Sequence, residues 1–428
     1  MHRVDASADA FARTDVLTRL VQEMLARRQL RTLAAPPAVL ATDDPAIAGL
    51  LSDNLLAVEP RPGMAARRVV TFSHHILFDY TVMRCVLRDP LEPLRLITCL
   101  DADPALPLVA RPSLDLLFDE LWELGGDRAE FWQLAIALAG SSHLLASLAA
   151  AAHLVAAGPS VEDLQPLTAA CTSAAAAQRA AGYALVGQVV GVAGATVTSD
   201  PQVAAAAPGL SRLAAALAHD ARTTTPRWDC LAATINLLGV LERRRPLTPG
   251  ASDARHRAAA TVELVDACRS DPPAFEPIAA AAARHLRAAI MIDQGHAGAV
   301  ARLLDDPAAM GQWGGRVLAE LVEALPPLAS VDPALASRLA ITVWAFDETR
   351  EENVEFVSRP LLPMTETRRQ QAETARWRLG QVFADLCRAH LVTAVRVFAD
   401  ITNTSLYPSP DPARECERWP LAVGQTRG

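Results

Sequence analysis

The sequence predicts an all-α protein: an irregular HEAT/armadillo-like α-solenoid, preceded by a small helical module that carries one β-hairpin. Three observations predict it. Hydrophobic residues make up 51% of the chain but aromatics only 5%. The apolar count leans on Ala and Leu, which favour helices, while the β-branched and aromatic residues that fill sheets are thin. From residue 89 onward, apolar stripes at helical spacing alternate with short breaks bearing Gly and Pro. At 428 residues the chain also exceeds the size at which a single core keeps growing, so several domains or an elongated array are expected.

Residues 1–90 differ from the rest. Thr14 caps a helix predicted over 14–31, with Leu17, Leu20, Val21 and Met24 on one face; Pro36 and Pro37 end that region. Asp43 or Asp44 caps a short helix over 45–51, with Pro45 in its first turn. A hairpin follows, with strands over 55–59 and 68–72 and a turn region at Pro60, Arg61, Pro62 and Gly63. A helix over 74–88 then carries Ile76, Tyr80, Met83 and Leu87 on its apolar stripe. Helix, helix, hairpin, helix is the outline of a winged-helix module.

Residues 91–402 read as the solenoid. Breaks are predicted at 125–126, 140–141, 158–159, 199–201, 225–226, 246–250 and 271–273, and then at Gly295, 306–307, 326–327 and 332–333. An Asp or Ser before Pro caps the next helix while Pro occupies its first turn. No repeat of fixed length is visible, so tetratricopeptide and ankyrin patterns are not supported, and irregular helix pairs of the HEAT or armadillo kind fit better. Each helix is apolar over too wide a face to stand alone, and stacking covers it. Residues 346–359 are acidic and lack a stripe, which predicts an exposed loop. A long helix is expected over 367–389, with Leu379, Val382, Phe383 and Leu386 inward, and another over 391–401. Residues 403–428, rich in Pro, Ser and charge, read as a disordered tail.

Several function classes are disfavoured. The net charge is −8, whereas a phosphate-binding surface is usually basic. All 40 basic residues are Arg; without lysine there is no Schiff base and no P-loop lysine. The seven cysteines are scattered and form no C-x-x-C pair, which reads as reduced, buried thiols in a cytoplasm rather than a disulfide framework or zinc knuckle. The first ten residues lack the apolar stretch of a secretory signal. Residues 131–161 and 180–198 carry no formal charge, but Ala, Gly and Ser dominate them, and they read as buried helices rather than membrane spans. Gly187 and Gly191 are spaced as in membrane helix dimers, but Gly194 and Pro201 nearby suit close helix packing or a loop equally well. No nucleophile elbow, His-linked cysteine or dinucleotide loop is present, so the chain is not expected to be an enzyme.

The densest candidate site is the run from Phe72 to Tyr80. His75 and Asp79 lie one helical turn apart, but a metal centre needs three or four ligands and no third is identifiable, so no metal is expected. His74 follows a strand and opens a helix, where backbone N–H groups and the dipole favour an anion; a histidine there is placed to hydrogen-bond a phosphate delivered by a neighbouring domain. Glu120 with Glu123, and Glu351 with Glu352 and Glu355, read as solvated charged faces. Trp313, Trp344 and Trp377 read as packing anchors rather than a ligand cage.

Phe72-x-His74-x-x-x-x-Asp79-Tyr80 resembles the end of the winged-helix domain of STAND-type NTPases, the large switch ATPases that include NACHT proteins. Val343 to Thr349 and Leu361 to Gln370 are similar to the helical region of large bacterial proteins of that type, several of which act in antiphage defence. Together the two anchors bracket residues 10–400. The resemblance implies that His74 contacts the phosphates of a bound nucleotide and helps to hold a resting state. The family's P-loop domain precedes the winged helix, and no such domain or Walker lysine is present in this sequence. The resemblance therefore implies the regulatory and sensing portion of such an ATPase, as a fragment of a longer product or one half of a split system, with no cofactor of its own. ATP or ADP would enter only through an NTPase domain supplied by another segment or chain.

The expected function is thus a non-catalytic, cytoplasmic sensor and scaffold segment. Its helical surface would bind a protein partner, such as a phage protein, and its winged helix would dock an NTPase domain; no membrane partner is expected. The alternative is a nucleic-acid-binding winged-helix/HEAT-repeat protein, which requires Arg27, Arg28, Arg31, Arg67 and Arg68 to cluster on one surface. A helical-repeat DNA glycosylase ranks behind both, since no basic cleft or placed carboxylate is evident.

Overall fold

The structure, a computed structural model, describes residues 2–28, 31–34, 45–60, 68–89, 91–92, 94–124, 126, 128–195, 200–223, 228–246, 248, 250–268, 272–306, 310, 314–346 and 368–406. These residues are mostly helical, as the Ala/Leu-rich composition requires. They divide into two compact units, residues 1–209 and 210–428. The residues read as a winged-helix module lie in the first unit together with the helices that follow them.

Unit 1 opens with α1 (His2–Arg27), β1 (Arg31–Ala34), α2 (Pro45–Ser52), β2 (Leu56–Pro60), β3 (Arg68–Phe72) and α3 (His75–Val82), which runs into a π-helical turn at Met83–Leu87. It continues with α4 (Arg95–Ala102), α5 (Leu106–Val109), α6 (Arg111–Leu124), α7 (Ala129–Ala139), α8 (Leu144–Ala157), α9 (Gln165–Cys171), α10 (Ala176–Gly194) and the first part of α11 (Asp200–Thr223). The β2–β3 hairpin forms as expected, with Leu56 opposite Phe72 and Val58 opposite Val70. The strand β1 was not expected. The helix predicted over 14–31 begins earlier, at His2, so Thr14 is no cap but donates to the Ala10 carbonyl within α1 at 2.9 Å; Arg28 turns left-handed at φ 52°, which stops it at Arg27, and the chain then pairs along the other edge of β3, Arg31 opposite Thr71. The sheet order is β1-β3-β2. The predicted turn at residues 61–63 lies outside the described residues.

Unit 2 completes α11 and adds α12 (Trp228–Arg244), α13 (Ala254–Cys268), α14 (Pro272–Ile292), α15 (Ala297–Leu304), α16 (Gly314–Leu321), α17 (Leu325–Val331), α18 (Pro333–Trp344), α19 (Arg368–Ala389) and α20 (Leu391–Leu406). Asp332 caps α18 as its sequence predicts, its carboxylate accepting from the N–H groups of Ala334 and Leu335. The break expected at 326–327 is replaced by a continuous run: α16 passes through a 3₁₀ turn, Val322–Ala324, into α17, whose first turn holds both prolines. Proline there loses no intrahelical bond. Of the tail expected over 403–428, residues 403–406 are instead the end of α20, and the rest lies outside the described residues. Residues 347–359 of the predicted loop lie outside the described residues, while Phe346 at its start is buried.

In both units polar side chains tie a helix to the next helix but one. His153 on α8 meets Asp119 on α6 at 2.8 Å, and Ser147 on α8 donates to Gln188 on α10. In unit 2, Arg222 on α11 pairs with Glu263 on α13 at 2.7 Å. Arg302 on α15 pairs with Asp266 on α13 at 2.7 Å, and Ser337 on α18 donates to Asp400 on α20 at 2.6 Å. The pairs Arg84–Glu120, Arg302–Asp266, Arg284–Glu320 and Arg287–Glu323 each span 36 residues.

In unit 1 a close approach of helix to backbone falls at Gly182 and not at the spaced glycines. A Cβ on Gly182 would stand 2.8 Å from the Cys171 nitrogen, whereas nothing lies within 4 Å of Gly187 or Gly191. Both spaced glycines face open space within α10. Among the described residues, no helix is long and apolar enough to cross a membrane.

Candidate functional site

The run from Phe72 to Tyr80 divides into structural and exposed members. Phe72 ends β3 and its ring meets Phe78 edge-on at 5.7 Å. Asp79, on the buried side of α3, accepts a hydrogen bond from Ser113 Oγ of α6 at 3.1 Å. Burial raises the Asp79 carboxyl above its usual range, and the Ser113 bond and the nearby His75 oppose that rise. His74 is the N-cap of α3, in extended backbone, exposed, and its side chain makes no capping bond. Tyr80 is 51% exposed. The strand-to-helix placement expected for His74 is therefore what the fold provides, with an imidazole at a helix N-terminus facing solvent.

Beside this helix lies a cleft of about 500 Å³, lined by Thr14 and Leu17 of α1, Leu55 and Phe72 of the hairpin, and Leu77, Tyr80, Thr81, Arg84, Cys85 and Arg88. His74 is not among its lining residues. The π turn carries Arg84 and Cys85, and Arg88 follows as its C-cap, closing it through the Arg88 N–H to Met83 carbonyl bond at 2.9 Å; such turns insert a residue into a helix and recur at functional sites. Arg84 Nη1 bonds Glu120 Oε1 at 2.9 Å, and Arg88 pairs with the same oxygen. The cleft wall is thus apolar, and its two cations are already compensated.

The remaining candidates fall away from chemistry. Among the described residues no group of three or more His, Cys, Asp or Glu is placed to hold a metal ion. Glu120 was read as part of a solvated face; it is instead largely covered and neutralised by the two arginines, while Glu123 is exposed. Trp344 and Trp377 are 41% and 65% exposed, so the reading of them as packing anchors is corrected. The ring cluster that does anchor unit 1 is Phe118, Trp122, Phe131, Trp132 and His153. Trp313, Glu351, Glu352 and Glu355 lie outside the described residues. Cys171, Cys230 and Cys268 are buried, the Cys268 thiol pushed up to about 12 by burial; Cys85, Cys99 and Cys387 are only half-buried. Of the arginines required by the nucleic-acid alternative, Arg27 pairs with Glu23, and Arg28 lies 3.6 Å from Asp103.

Sequence reasoning missed the Arg84–Glu120–Arg88 cluster because the two arginines are legible as one helix face, but the partner 36 residues away from Arg84 is not. No family model, no curated protein and no solved structure matches this chain.

Proposed function

We propose that the chain is a non-catalytic sensor and scaffold segment of a STAND-like signalling or antiphage-defence ATPase. Its first ninety or so residues act as a winged-helix module that docks an NTPase domain supplied by another segment or chain. Its remaining helices stack as HEAT-like pairs whose surface binds a protein partner in the cytoplasm. The observation that carries this reading is His74: an exposed imidazole at the N-terminus of a helix fed directly by a strand, where the dipole and free N–H groups favour a phosphate. The stacking is supported by the polar ties between alternate helices, such as His153–Asp119, Arg302–Asp266 and Ser337–Asp400.

The test is co-purification with the product of a neighbouring reading frame that encodes a P-loop ATPase. The complex is expected to retain nucleotide, measured by chromatography after denaturation, and His74→Ala is expected to lower that content about tenfold, as loss of one charge-assisted phosphate contact would. The isolated chain is expected to turn over no ATP. Turnover by the isolated chain, or nucleotide content indifferent to His74→Ala, overturns the reading.

A further inference from the structure

The cleft beside α3 is not used by the reading above, since His74 does not line it. Three elements wall it: α1 through Thr14 and Leu17, the hairpin through Phe72, and α3 with its π turn through Leu77, Tyr80 and Cys85. The polar groups of the lining are committed to acceptors of the chain itself. Thr14 Oγ1 donates to the Ala10 carbonyl at 2.9 Å, and Thr81 Oγ1 to the Leu77 carbonyl at 2.6 Å. Arg84 bonds Glu120 at 2.9 Å, Arg88 pairs with the same carboxylate, and Arg88 Nη2 also lies 3.9 Å from Glu130. Two cations thus face two carboxylates.

These pairings decide what the cleft accepts. An anion would have to draw the guanidiniums away from Glu120, which is largely covered and would lose its partners. A ligand rich in donors and acceptors would leave them unmatched among Leu17, Phe72 and Leu77. A neutral, apolar body meets neither cost. Its shape follows from the walls: the Phe72 and Tyr80 rings and the Cys85 sulfur favour a flat aromatic group. The volume of about 500 Å³ falls within the roughly 300–1,000 Å³ of small-molecule sites. Tyr80 is half exposed, so its hydroxyl is available to a single polar group on the solvent side. We propose that this cleft binds a neutral aromatic molecule of one or two rings, its rings among Leu17, Phe72 and Leu77 and its one polar group at Tyr80.

Cys85, half-buried in the cleft wall, gives a local readout. Calorimetric titration of the full chain with 2-acetylnaphthalene is expected to saturate with a Kd of about 0.1 mM, and its anionic counterpart 2-naphthoate to bind at least about tenfold more weakly. At about ten times its Kd the ketone should slow N-ethylmaleimide labelling of Cys85 about tenfold, measured by mass spectrometry. The half-buried Cys387 of unit 2 should label at an unchanged rate. Thr14→Trp, at an exposed position on the α1 wall, fills the cleft and should abolish both binding and protection. Where that variant fails to fold by circular dichroism, protection of Cys85 in the unaltered chain decides alone. Binding of naphthoate as tight as that of the ketone would overturn the neutral ligand. Absence of saturable binding, a Cys85 that does not label in the free chain, or protection that is missing or survives in folded Thr14→Trp overturns the site.

Discussion

Units 1 and 2 are both helical, yet they hold alternate helices together by different means. In unit 1 the centre is aromatic: Trp122 lies 5.0 Å from Phe131 and 6.2 Å from Trp132, with Arg128 stacked 4.0 Å over its ring. Its cross-links range from the neutral Ser147–Gln188 bond, and His153, whose proton affinity is lowered chiefly by burial despite the adjoining Asp119, to the charged Arg84–Glu120–Arg88 group. In unit 2 the core is Ala, Leu and Val, and charged groups enter it. Arg257 is 3% exposed and bonds the Arg245 carbonyl at 2.8 Å, Asp253 at 3.4 Å, and Glu242. The difference is that the Ala-rich core of unit 2 admits a buried guanidinium, Arg257, whereas rings fill the centre of unit 1.

The sharpest test is a matched pair. Arg257→Ala strands the fully buried Asp253 and is expected to cost about 3–5 kcal/mol of stability in urea unfolding. Phe131→Ala, deleting a fully buried ring in unit 1, is expected to cost about 3–5 kcal/mol as well. Restoring neutrality separates them: Asp253→Asn added to Arg257→Ala should recover a large part of the loss, whereas no polar change should rescue Phe131→Ala. Equal failure of both rescues would erase the contrast.

Acid comes next. His285 in unit 2 is lowered to about 4, first by burial and then by the charges of Arg284 and Arg257. As pH falls through its ordinary value of 6.5, the unfolded chain takes up the proton and the folded chain does not. Stability is therefore full above about 6.5 and falls until pH reaches about 4, by on the order of 3 kcal/mol. His153 in unit 1 acts with the same sign. Melting temperature followed against pH should flatten over this window in His285→Leu; an unchanged profile would mean that the imidazole is not held neutral.

Smaller effects come from glycine. Gly182→Ala drives a methyl into the Cys171 backbone and should destabilise by about 1–3 kcal/mol, whereas Gly187→Ala, on an open helical face, should stabilise by about 0.5–1 kcal/mol. Thermal melts that rank the two the other way would show that the spaced glycines pack after all. The smallest effect is Arg287→Gln at an exposed pair with Glu323, expected to be under about 1 kcal/mol; a larger value would mean that the 36-residue links act as a network.

Much of the fold was legible because it rests on local rules. The hairpin of β2 and β3, the Asp332 cap, and α19 beginning at Arg368 follow from alternation, capping chemistry and periodic stripes that act within a few residues. β1 was not legible: Arg31–Ala34 becomes a strand only because the free edge of β3 is there to receive it. Nor was the fate of the tryptophans, since burial depends on which helix arrives opposite. The candidate site shows the same division. His74 was placed by its position between strand and helix, a local fact, while the cleft was not seen.

By itself the sequence determined that this chain is made of helices, where many of the breaks between them fall, and that His74 stands at the head of one. Those outcomes are set by backbone propensity and capping, whose energies are short-ranged. Only the tertiary structure decided that Arg84 and Arg88 converge on Glu120, that Arg284 and Arg378 converge on Glu320, and that Gly182 rather than Gly187 bears the close approach. These pairings join residues far apart in the chain, and nothing local distinguishes the partner each arginine meets from the other carboxylates it could have met.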